Sequence, residues 1–87
     1  MTLAELRREL AELDHLPGET IVILAKDAEG NAFLPLDEID PSMYYAQTDW
    51  SGERYMTEEA RQAQADPGAY SKAPIDAVIG LCLWPTS

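Results

Sequence analysis

Thr20-Ile21-Val22-Ile23-Leu24-Ala25 is a run of β-branched and aliphatic residues with a single hydroxyl and no charge. Alternate side chains of a strand point to opposite faces, so a run apolar on both faces suits a strand at the centre of a sheet. Downstream, Asp27-Ala28-Glu29-Gly30-Asn31 reads as a hairpin turn of three to five residues, with Gly30 or Asn31 suited to left-handed backbone. Ala32 to Leu36 returns antiparallel, and Pro35, which has no N–H for a ladder, belongs on an edge or at the strand's end. A second two-faced run spans Ile75 to Trp84. Ile75, Ala77, Ile79, Leu81 and Leu83 fall on one side, and Val78, Gly80, Cys82 and Trp84 on the other.

Upstream, the first fifteen residues predict an amphipathic helix. Leu3, Leu6, Leu10 and Leu13 recur at three- and four-residue spacing, with Glu5, Arg8, Glu9 and Glu12 on the flanks. Thr2 and Glu5 have the spacing of a capping box, and Met1 with Leu6 that of a hydrophobic staple. Leu16-Pro17-Gly18 ends the helix, since Pro17 disfavours helical backbone before it and Gly18 can turn the chain with positive φ. Between the two apolar runs, Asp40-Pro41-Ser42 reads as a turn, Met43 to Gln47 as a short strand and Asp49 to Gly52 as a loop. Thr57 caps a weak second helix that is acidic in its first turn (Glu58, Glu59), continues through Ala60 to Ala65 and ends at Asp66-Pro67-Gly68. The expected fold is α+β in a single domain spanning residues 1–87. An N-terminal amphipathic helix packs on a small, mainly antiparallel sheet of three or four strands, with the weak second helix as a surface cover. The sheet face carrying Val78, Cys82 and Trp84 lacks obvious cover, so a homo-oligomeric contact is expected.

Composition narrows the function. The 87 residues carry 16 Asp and Glu against 6 Lys and Arg, a formal charge of -10. That field repels phosphate backbones and anionic membranes, so direct nucleic-acid or membrane binding is not expected. One cysteine and one histidine exclude an internal disulfide, a cysteine-based metal cluster and a histidine-rich site. No apolar run approaches the length of a membrane span, and a soluble intracellular protein is expected. A chain this small is stable by roughly 4 to 13 kcal/mol, a margin that association with a partner would widen.

Candidate functional residues concentrate between Lys26 and Tyr55. Asp27, Glu29, Asn31 and Glu38 match positions one, three, five and twelve of a calcium loop. Ala32 stands where that loop needs glycine, Pro35 occupies position nine and a strand precedes it, so the segment reads as an acidic hairpin tip and no metal or other cofactor is expected. Tyr44, Tyr45, Trp50 and Tyr55 cluster beside Ser51, Gly52, Glu53 and Arg54. Aromatic faces, a glycine that admits close backbone approach and a guanidinium suit a planar or nucleotide-like ligand, or a protein partner. The same aromatics could equally roof the sheet as a mini-core. His15 has no serine or cysteine beside it, Cys82 alternates within an apolar strand, and the adjacent carboxylates indicate solvation and capping. No catalytic residue is assigned.

Lys26-Asp27, Glu29-Gly30-Asn31, Pro35-Leu36, Tyr44, Trp50-Ser51-Gly52-Glu53, Tyr55 and the closing Leu83-Trp84-Pro85 together resemble small acidic proteins encoded by tailed bacteriophages, especially those of actinobacteria. The likeness spans most of the chain and implies an accessory protein of the host cytoplasm, with no activity or catalytic residue to carry over. The function expected in that setting is non-enzymatic: binding and blocking a host protein, as counter-defence or host modulation. Asp37, Glu38, Asp40, Glu53, Glu58 and Glu59 would then meet a basic groove. The alternative is sequestration of a nucleotide signal. Trp50, Tyr44 and Tyr55 would stack the base, Ser51 and Gly52 backbone with Arg54 and Lys26 would meet phosphate, and Asp27, Glu29 or Asn31 would read polar edges. A metal-dependent hydrolase built on Asp27, Glu29 and Glu38 is the remaining class.

Overall fold

The computed structural model describes residues 1–86 and is α+β, with one N-terminal helix, a short second helix and a four-stranded antiparallel sheet. In chain order the elements are α1 (Leu3–Glu12), β1 (Ile23–Ala25), β2 (Phe33–Ala46), β3 (Gly52–Tyr55), α2 (Glu58–Gln62) and β4 (Val78–Pro85), with a 3-10 turn at Pro67–Ala69 before β4. The strand order is β1-β2-β3, and β4 also pairs with β2. Two compact units divide the chain, one of residues 1–38 with the C-terminal end from Trp84, the other of residues 39–83.

In the first unit, α1 begins as its sequence requires. The Thr2 hydroxyl oxygen accepts from Glu5 N at 3.2 Å, and the hydroxyl itself donates to Glu5 Oε1 at 3.1 Å. The glutamate therefore braces the capping oxygen. Met1 is 81% exposed, so no staple closes over it. Beyond the helix, Leu16 N donates to Leu13 O and Thr20 N to Pro17 O, turns that need no left-handed residue; Gly30, not Gly18, has the positive φ. β1 pairs antiparallel with β2 through Ile23↔Pro35, Leu24↔Leu34 and Ala25↔Phe33. The segment expected as a central strand from Thr20 to Ala25 is thus an outer strand of three residues. The long strand β2 takes the centre, because the ladders to β1, β3 and β4 all use it.

That strand overturns two further expectations. Asp40-Pro41-Ser42 continues β2 and makes no turn. Pro41 falls after the β2 residues that pair with β1 and before those that pair with β3, so those two ladders ask no N–H of it. Pro35 sits inside the central strand, and its carbonyl still accepts from Thr86 N at 2.9 Å. β3, which begins at the Gly52 end of the expected Asp49–Gly52 loop and is not among the strands expected from the sequence, forms because the hairpin closes at Gln47 and Ser51. β4 starts later than Ile75, since Ala77 N donates to Pro74 O in a preceding turn.

In the second unit, Thr57 caps α2 by accepting from Ala60 N at 3.1 Å. Arg61 is buried and donates to Tyr70 O at 3.0 Å and to Glu58 Oε1 at 2.9 Å, fastening this single helical turn to the segment after the 3-10 turn. The Gln62 side-chain amide also donates to Glu58, which holds that carboxyl below the usual glutamate range. Among the described residues no apolar side chain is buried; the most enclosed groups are Ser42, 2% exposed, and Arg61. Leu3 and Leu10 of α1, Ile23 of β1 and Val78 and Ile79 of β4 stay exposed, while Leu6 and Leu24 are half-buried.

Candidate functional site

The candidate residues fall into two hairpins, one in each unit. The first is the turn between β1 and β2. Lys26 N donates to Ala32 O at 2.8 Å and closes it, and Gly30 takes the left-handed conformation (φ 72°) that the reversal needs. Asp27 organises the interior. Its Oδ1 accepts from Glu29 N at 3.0 Å and Asn31 N at 3.2 Å, and its Oδ2 from Asn31 Nδ2 at 3.0 Å. Asn31 Nδ2 also reaches Glu29 Oε2 at 3.4 Å. The Asn31 side chain and backbone hydrogen bonds hold the Asp27 carboxyl below the usual aspartate range. Asp27, Glu29 and Asn31 thus spend polar groups on one another, which is turn chemistry rather than an open ligand set. Among the described residues no group of three or more His, Cys, Asp or Glu is arranged to hold a metal ion.

The second hairpin joins β2 to β3. Its register pairs Met43↔Tyr55, Tyr44↔Arg54, Tyr45↔Glu53 and Ala46↔Gly52. Opposed residues share a face and successive residues alternate, so Tyr44 and Arg54 occupy one face while Tyr45, Glu53 and Tyr55 occupy the other. The aromatic cluster of the sequence is therefore divided between two faces. On the first, Tyr44 leans across the diagonal onto Gly52: a β-carbon there would lie 2.5 Å from the Tyr44 hydroxyl and 2.5 Å from Tyr45 O. Gly52 admits a tyrosine of its own chain, as glycines in paired strands do when an aromatic ring covers them.

Arg54 is committed on the same face. Its Nη2 meets Asp40 Oδ2 at 2.6 Å and its Nε donates to Ser42 Oγ at 2.9 Å, while Ser42 Oγ donates to Asp40 O at 3.2 Å. Both ionic side chains are about two-thirds covered, so this bond ties the hairpin stem more firmly than a surface pair does. Ser42 is absent from the candidates the sequence offers, and Asp40 stands there only among the carboxylates for a basic groove, not as the partner of Arg54. Centring the hairpin on Asp49 would have found them, because residues 40, 42 and 44 then share a face with 52 and 54.

At the tip, Gln47 N and Thr48 N both donate to Ser51 O at 3.0 Å, Trp50 N donates to Thr48 Oγ1 at 3.2 Å, and the Thr48 and Ser51 hydroxyls bond at 2.7 Å. These bonds fix the backbone of a three-residue tip. Trp50 is 86% exposed there, its indole open to solvent. Among the described residues no helix is long and apolar enough to cross a membrane. Comparison with protein-family models, curated proteins and solved structures finds no match to this chain.

Proposed function

We propose that the chain is a phage-type accessory protein that acts in the host cytoplasm by binding and blocking a host protein, one copy per target and without turnover. The observation that carries this reading is Trp50, a large amphipathic side chain held out on a hydrogen-bonded hairpin tip. Tryptophan is the side chain most often found as the anchor of a protein interface, because it buries a wide apolar area at little cost in side-chain freedom. Arg54 supports a protein over a nucleotide: the guanidinium that would meet phosphate is bonded to Asp40 and Ser42. The charge of -10 selects for a basic target surface and speeds its capture.

The test is retention of host proteins by the immobilised chain beside its Trp50→Ala variant, followed by titration with the purified target. A tryptophan anchor contributes about 2 kcal/mol or more, so Trp50→Ala weakens binding about thirtyfold while leaving the fold intact. High ionic strength weakens the wild-type complex. Equal retention by both forms, or a melting shift with a nucleotide and none with a protein, overturns the proposal.

A further inference from the structure

The two hairpin tips obey one local rule and differ in the group it uses. In the first, the Asp27 carboxylate accepts from the backbone N–H two residues on, Glu29 N, and is consumed by the turn. In the second, the Thr48 hydroxyl takes that place, accepting from Trp50 N two residues on and bonding the Ser51 hydroxyl. Asp49 is thereby released from the turn. Among the described residues its carboxylate has no hydrogen bond or ion pair, and it is exposed next to Trp50, itself 86% exposed.

Whatever covers Trp50 must therefore answer Asp49 as well. Consecutive α-carbons lie about 3.8 Å apart, so a surface that closes on the indole also takes water from the carboxylate. A purely apolar pocket would leave that charge unpaired, at a heavy cost. The unit that carries the tip, residues 39–83, offers no cation of its own for it. Of its cations, Arg54 is bonded to Asp40 and Ser42, Arg61 to Glu58 and Tyr70 O, and Lys72 is drawn to Glu58.

We propose that the tip receives an arginine side chain of the target, its guanidinium stacked on the Trp50 indole and donating to the Asp49 carboxylate. This rests on the reading of Trp50 as an anchor and names the residue that the anchor meets. Arginine matches both groups at once. Its planar guanidinium lies on an aromatic face, its N–H fork fits a carboxylate, and it is more weakly hydrated than a lysine ammonium, so it leaves water more readily. The charge of -10 draws such a cation toward the protein from solution.

Fluorescence anisotropy of a labelled hexa-arginine peptide, titrated with the 87-residue chain at low salt, tests the proposal, with circular dichroism to verify folding. The wild type binds hexa-arginine about fivefold more tightly than hexalysine. Trp50→Leu keeps an apolar side chain but removes the aromatic face, and weakens hexa-arginine binding about tenfold; Asp49→Asn weakens it about fivefold. Glu12→Gln removes the same charge from α1 and changes the affinity by no more than about twofold. Equal binding of the two peptides overturns the proposal, as do losses in Trp50→Leu and Asp49→Asn no larger than in Glu12→Gln, because the acidic field alone then accounts for the binding. So does the absence of binding. On a retained host protein the two readings part. A complex lost in both Trp50→Ala and Asp49→Asn supports the arginine, one lost in Trp50→Ala but kept in Asp49→Asn overturns the arginine and leaves the anchor, and one kept in both overturns the anchor too.

Discussion

Gly52 shows what one residue can decide in this molecule. Its hydrogen stands where a methyl group would press on the Tyr44 hydroxyl and on a backbone carbonyl, and the carbonyl cannot move without breaking the hairpin. Gly52→Ala therefore destabilises the protein by about 1 to 3 kcal/mol. Gly18 is the control: nothing lies within 4 Å of the same addition and its φ is not positive, so Gly18→Ala is neutral or gains about 0.4 to 1 kcal/mol by restricting the unfolded chain. Chemical denaturation of the two variants checks both, and equal midpoints would refute the packing of Tyr44 over Gly52. That Gly52 had to be glycine was legible in the sequence, but the reason was not. Ligand approach and tyrosine approach make the same demand, and only the register of Tyr44 against Arg54 separates them.

Elements form where local rules act without help. The cap of α1 at Thr2, the cap of α2 at Thr57 and the left-handed Gly30 follow from side chains bonding backbone a few residues away. The hairpin at Asp27 extends this to acidity. Hydrogen bonds from Asn31 and Glu29 favour the ionised carboxylate, so the folded group titrates below its unfolded range. Their contribution is complete at neutral pH and is lost as pH falls through the depressed value, below about pH 4. Following the Asp27 carboxyl by NMR through an acid titration shows a midpoint below the aspartate norm, and Asn31→Ala moves it up. An unmoved midpoint would show that the bonds do not form in solution. Strand boundaries were less legible than caps. Pro41 looked like a turn because proline lacks the N–H of a ladder, yet β2 is long enough to pair with β1 before Pro41 and with β3 after it, so neither of those ladders asks for that donor.

For the whole molecule the telling fact is that a chain 46% apolar buries no apolar side chain among its described residues. Two-faced strands need cover on both faces, and a ten-residue helix with one short helical turn supplies little. The sequence by itself determined the α+β class, both helix caps, the hairpin at Gly30 and the acidic field, since each follows from composition or from contacts a few residues apart. Only the tertiary structure decided that β2 is the centre, that Arg54 answers to Asp40 and Ser42, and that Tyr44 and Tyr55 stand on opposite faces. Those depend on strand register, which is fixed by pairing between distant residues and shifts every side chain to the other face when it slips by one.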